Sequence, residues 1–208
     1  MTWYSIKEMA LVVLFGSFCG FLQGYFIVII WLLSESGGDA LLIDFNDGSR
    51  ISENLDSNYI LIYICGETVG SCLGYLFSDS LGRNLTIRYF LAILSALLAW
   101  TALSLHQIPS ALIILLGICM GIILSTSPIY ISECSPTFSR GQCIAAFSLA
   151  IVFGNKIAGF IFWLTSTMEQ KFLMLFLFPC CIALMACYGL SSLPESPRWL
   201  LSRKTPTG

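Results

Sequence analysis

Two ionisable residues stand inside apolar stretches of this sequence, Glu67 in "YICGETVGSCLG" and Lys156 in "IVFGNKIAGF". A charge in hydrocarbon is expensive, and it marks an ion or solute path by default. Glu67 shares a helical face with Gly70, Ser71 and Gly74, at offsets of three, four and seven. Small faces of this kind let helices approach closely. Ser148, Asn155, Lys156 and Gly159 form a polar stripe of their own. Outside the apolar stretches, acid–base sets recur in "GYLFSDSLGRN", "SPIYISECSPTFSRGQ" and "PESPR": Asp79 with Arg83, Glu133 with Arg140, and Glu195 with Arg198. Residues of these types can hold protons or ions, or latch one packing against another. No Gly-rich phosphate loop and no nucleophile–histidine arrangement is present, and His106 is the one histidine. The nine cysteines have no metal-ligand spacing. The expectation is a protein that is not an enzyme and that needs no cofactor and no metal. Cysteine here is a small packing residue.

The elements that must position these residues are membrane spans. The chain is 57% hydrophobic and only 11% charged, against about 25% charged for a soluble domain. Six apolar runs are long enough to cross a bilayer, at about 8–33, 58–78, 86–106, 109–131, 142–165 and 172–193. In lipid each must be a helix, since only a helix satisfies its own backbone within one segment. The fold class is therefore all-α, a six-span multi-pass bundle whose partner is the lipid bilayer.

Basic residues set the orientation. With the N-terminus inside, Lys7, Arg83, Arg88, Arg140, Arg198, Arg203 and Lys204 are cytoplasmic, Arg50 and Lys171 are outside, and Lys156 is within a span. Both termini are then cytoplasmic, and the acidic segment 34–57 is an extracellular loop. The basic end of the segment 194–208 anchors it to the inner face, and no nucleic-acid partner is expected. Asn84-Leu85-Thr86 fits a glycosylation acceptor but lies inside on this topology.

"PIYISECSPTFSRG" and "LPESPRWLL" resemble signatures of the sugar porter family of the major facilitator superfamily. "DSLGR" is similar to that family's loop between spans 2 and 3, and "GFLQGYF" to its first-span Gly-Tyr motif. The resemblance covers nearly the whole chain and implies the amino-terminal six-helix half of a transporter, with 194–208 opening a cytoplasmic linker. It implies alternating-access transport of a hexose-like sugar across the plasma membrane. It makes Gln23, Tyr25, Phe26, Ser148 and Asn155 the substrate-pathway candidates. Asp79, Arg83, Glu133, Arg140, Glu195 and Arg198 become a cytoplasmic charge network.

Departures from the family pattern narrow this reading. Tyr75, Ser80 and Asn84 stand at the loop's usual Gly, Arg and basic positions, and Ile113 at a usual Arg. Phe26 replaces the Asp of proton-coupled members, so facilitative transport is expected, and Ser148 replaces a sugar-binding Gln. The partner is then a separate carboxy-terminal half or a second copy. At 1.5 Å per residue, Glu67 and Lys156 both lie roughly 12–13 Å below the outer surface. A homodimer could therefore bring them together twice. The competing expectation is a truncated, non-transporting protein that binds or modulates full-length transporters. The topology also predicts that Asn84 carries no glycan, so glycosidase treatment should leave the chain's mass unchanged.

Overall fold

The structure is a computed structural model that describes residues 6–35, 59–103, 110–165 and 171–204. The described residues form seven helices and no strand: α1 (Ile6–Glu35), α2 (Tyr59–Leu81), α3 (Arg83–Leu103), α4 (Ser110–Cys134), α5 (Arg140–Thr165), α6 (Lys171–Ser191) and α7 (Pro197–Lys204). The first six are long and apolar enough to cross a membrane.

Several helices run past the apolar runs that define them, because backbone hydrogen bonds continue into the interface until a residue stops them. α2 and α3 are separated only by Gly82, at φ +107°, a left-handed conformation that glycine adopts without strain. α4 passes through Pro128 and ends at Cys134, just before Ser135 and Pro136. Ser139 starts α5, its carbonyl accepting the Cys143 N–H at 3.1 Å. His106 and most of the acidic loop 34–57 lie outside the described residues.

The bundle is built from three helix pairs: α2 along α4, α1 along α5 and α3 along α6. In the first pair glycines from both helices face the other's backbone. A Cβ at Gly70 would sit 2.2 Å from the Ile118 carbonyl oxygen, and one at Gly121 would sit 2.2 Å from the Glu67 carbonyl oxygen. The second pair repeats the device. A Cβ at Gly24 would lie 1.9 Å from the Ile151 oxygen, and one at Gly154 would lie 2.1 Å from the Phe21 oxygen. These helices touch backbone to backbone, where dispersion contacts are densest and lipid cannot compete. The third pair uses small α6 side chains instead. Cys180, Ala183 and Ala186 are buried, and the Cys180 and Cys187 thiols point to the Ser95 and Arg88 carbonyls at 3.4 and 3.6 Å.

α2 and α5 are the least covered spans. Leu61, Ile64 and Leu76 of α2, and Val152, Phe153 and Phe160 of α5, are exposed. The core lies between the pairs, with Leu22, Tyr25, Phe26 and Ile29 of α1 among its fully buried side chains.

Substituting Gly24→Ala should force α1 and α5 apart and cost about 1–3 kcal/mol. Gly159→Ala, where a Cβ meets nothing within 4 Å, should leave stability unchanged or raise it. Thermal unfolding in detergent, followed by circular dichroism, separates the two outcomes.

Candidate functional site

One end of the bundle, where the α2–α3 turn, the end of α4 and the start of α7 meet, gathers Asp79, Arg83, Glu133, Glu195 and Arg203. The tight turn at Gly82 swings Arg83 back across the end of α2. Its Nη1 donates to Asp79 Oδ1 at 2.7 Å and to the Ser78 carbonyl at 2.8 Å. Its Nε lies 3.4 Å from Glu133 Oε2 at the end of α4, an ion-pair distance without hydrogen-bond alignment. The same Glu133 oxygen accepts a hydrogen bond from the Ser196 hydroxyl. Glu133 is thus paired with Arg83, not with Arg140 as its position in the loop sequence suggests. Arg140 is exposed at the start of α5 and forms no ion pair among the described residues. Sequence proximity misled here because α2 and α4 lie side by side, which brings the α2–α3 turn against the end of α4.

Glu195 caps a helix far away in sequence. Its Oε1 accepts the Leu85 N–H at 2.7 Å and its Oε2 the Asn84 N–H at 3.1 Å. These are orphan donors of the first turn of α3. A side chain at the helix start would normally satisfy them, but Gly82 has none. The carboxylate sits 3.0 Å from where a Gly82 Cβ would be. It also meets the positive end of the helix dipole. Its sequence neighbour Arg198 is exposed.

Asn84 does the converse service. Its Nδ2 donates to the Leu190 and Leu193 carbonyls at 3.1 and 2.6 Å, at the end of α6. Asn84 is buried, so the basic residue expected in this loop is replaced by a neutral donor that suits an enclosed site. The Tyr130 hydroxyl donates to the Pro194 carbonyl at 2.9 Å.

α7 was not legible as a helix within the polar tail. Ser196 starts it, receiving the Leu200 N–H on its carbonyl at 3.1 Å, and Pro197 takes the first helical position, where its missing N–H costs nothing. Trp199 Nε1 donates to the Asp79 carbonyl at 3.0 Å, and Arg203 donates to the Ser80 carbonyl. Both carbonyls belong to the end of α2. The Arg203 guanidinium also lies 5.0 Å over the Trp199 ring, a cation–π distance. The "PESPR" signal was visible in the sequence, but its partners were not.

The intramembrane candidates divide. Gln23 of α1 and Glu67 of α2 are brought together, with Gln23 Nε2 donating to Glu67 Oε1 at 2.5 Å. Ser71 donates to the Glu67 carbonyl at 2.9 Å. Lys156 is exposed on α5 and makes no ion pair among the described residues. Glu67 therefore has a partner within its own bundle, a contact that separation in sequence concealed.

Tyr25 and Phe26 are fully buried, and the Tyr25 hydroxyl donates to the Leu175 carbonyl of α6 at 2.9 Å. They pack the core in this conformation and present no surface to a solute. Ser148 is exposed, its hydroxyl turned to the Ile144 carbonyl of its own helix at 3.3 Å. Asn155 is half-buried beside Gly24, and its Oδ1 has no hydrogen-bond partner among the described residues. Ile113 is buried in α4.

The sequence profile of the family described as "Sugar (and other) transporter" matches residues 12–206. The chain is 27% identical to the D-xylose-proton symporter of Escherichia coli (strain K12), over 97% of this chain and 46% of that protein. It is 32% identical to the proton myo-inositol cotransporter hmit-1.1 of Caenorhabditis elegans, over 64% of this chain and 22% of the other. Among solved structures, the xylose transporter XylE from E. coli, in a partially occluded inward-open conformation, superposes with a TM-score of 0.79 at 22% identity. That match covers 94% of this chain and 52% of XylE, and it shows the shared fold. The chain spans half or less of the length of these relatives.

Removing the α3 cap tests how the inner face is held. Glu195→Ala should cost about 1.5–3 kcal/mol, the range for hydrogen bonds to a charged group. It should also raise amide hydrogen exchange in both the first turn of α3 and α7. Arg198→Ala should change stability by less than about 0.5 kcal/mol, as expected for an exposed side chain.

Proposed function

We propose that this chain, which belongs to the sugar (and other) transporter family, works as the amino-terminal six-helix half of an alternating-access carrier for a hexose-like sugar. The observation that carries the proposal is the way the inner helix ends are tied. Arg83, Asp79 and Glu133 join the α2–α3 turn to α4, Glu195 and Trp199 tie the following segment onto that turn, and Ser196 and Pro194 tie it to α4. A bundle bound in this way moves as one body, which is what rocking of one repeat against another requires. The ties use charged and aromatic contacts at the water interface, which can be exchanged for others when the halves re-pack.

The uncovered faces of α2 and α5 support a second six-helix unit, either a separate carboxy-terminal half or another copy of this chain. The apolar side chains exposed there would be covered by it. Phe26, at the position of the Asp of proton-coupled members, supports facilitative rather than proton-coupled transport. Cytoplasmic placement of both termini is supported by the distribution of Lys and Arg, and a plasma-membrane setting by the family resemblance alone.

The test is radiolabelled hexose uptake into liposomes, with oligomeric state measured in the same preparation. Saturable, stereoselective uptake by a dimer of the chain alone would support a second copy as the partner. Uptake only after co-reconstitution with a six-helix carboxy-terminal half of the same family would support a separate half. No uptake from folded protein in either preparation would overturn the transport reading in favour of a modulator of full-length carriers.

A further inference from the structure

We infer that Glu67 and Gln23 form an intramembrane proton-exchange site, in which the Glu67 carboxylate takes up a proton from water and returns it while the Gln23 amide serves both states. The position sets the problem. Glu67 is the ninth residue of α2, so it lies roughly 12 Å along the helix from Tyr59 at 1.5 Å per residue. Its carboxylate is half-buried in a span made almost wholly of apolar residues. A carboxylate in such a place either acquires a cation or accepts a proton.

The surroundings supply no protein cation. From α1 it meets Gln23, and the titratable side chains nearest on that helix are Cys19 and Tyr25. The Tyr25 hydroxyl is already bonded to the Leu175 carbonyl. α4 presents Gly117 and Gly121 to this stretch of α2, with Cys119 between them in sequence. On α2 itself Tyr63 lies one turn before and Ser71 one turn after, and Ser71 bonds to the Glu67 backbone. Cysteine and tyrosine are neutral near pH 7. Among the described residues no lysine or arginine lies at ion-pair distance from Glu67.

Gln23 suits a carboxyl group that changes state. A primary amide offers an N–H₂ donor and a carbonyl acceptor, and a half-turn exchanges them. Nε2 donates to Glu67 Oε1 at 2.5 Å, the contact that serves the charged carboxylate. After protonation, the new O–H on Glu67 requires an acceptor. Gln23 Oε1 is buried, with no hydrogen-bond partner among the described residues, and the amide half-turn brings it to the carboxyl. An arginine in place of Gln23 would hold the group permanently charged, and a leucine would serve neither state. Gln23 is 3% exposed whereas Glu67 is partly open, so the proton reaches the carboxyl and not the amide. In the step itself an O–H bond forms on Glu67 at the expense of one on hydronium, and the reverse reaction restores both.

The proton exchange is independent of the alternating-access reading. Infrared difference spectroscopy of the chain in liposomes, stepped from acid to alkaline pH, reads it directly. The expected result is a protonated-carboxyl C=O band that is lost on raising the pH. The band should be absent in Glu67→Gln and present in Glu67→Asp, and its midpoint should shift in Gln23→Leu. Glu67→Gln mimics the protonated group and should fold. Identical difference spectra for wild type and Glu67→Gln would overturn the proposal. A band missing from wild type but present in Lys156→Gln would also overturn it, in favour of an ion pair with Lys156 of a second copy. A titrating Glu67 band without sugar flux would uphold the site and count against the transport reading alone.

Discussion

A helix satisfies its own backbone everywhere except at its two ends, and this constraint organises the end of the bundle where the α2–α3 turn meets α7. In hydrocarbon the spans need no outside partner. Where α2, α4 and α6 end and α3 and α7 begin, amides and carbonyls are left over. The chain answers with side chains from other helices. Glu195 closes α3, Asn84 closes α6, and Trp199 and Arg203 close α2. Each cap is therefore also a tertiary contact. Of the three local pairs, Asp79–Arg83 forms as its spacing suggests, while Glu133 and Glu195 meet groups of other helices.

The same economy shapes the middle of the membrane. Without water to expel, helices adhere through close packing, and the α2–α4 and α1–α5 pairs achieve it with glycines set against backbone. These pairs carry the functional positions. Glu67 sits on α2 between the glycines that face α4, and Gln23 sits one residue before the glycine that meets Ile151 on α5. The Glu67–Gln23 contact is held in place by rigid neighbours on both sides. The helix-end caps and the glycine pairs bind the helices to one another, while the carboxylate midway along α2 has a neutral companion.

Much of this architecture was legible in the residues. Apolar runs of span length have one outcome in lipid, so the six helices and their order could be read directly. The motifs "DSLGR", "PIYISECSPTFSRG" and "LPESPRWLL" pointed to the family that the profile match establishes. The small-residue face at Gly70, Ser71 and Gly74 marked a close helix contact, and α4 is what fills it. Less legible were the partners. Glu133 was set beside Arg140 because both occupy one loop, whereas Arg83 reaches it from another helix end. α7 was hidden because eight residues carry too little periodicity to register, and its helix depends on contacts with α2.

What the sequence determined by itself was the class of solvent, the number of spans and the types of chemistry available, since these follow from composition and run length. Only the tertiary structure decided which groups meet. Tyr25 and Phe26 stand in a motif, and the structure buries both, with the Tyr25 hydroxyl bonded to the Leu175 carbonyl of α6. Glu67 reads in the sequence as an isolated intramembrane charge, but α1 crosses α2 at the level where Gln23 meets it. The reason is physical: hydrophobicity is a property of each residue and sums along the chain. A hydrogen bond depends on where two helices cross, and that is set by side-chain volumes on faces far apart in sequence.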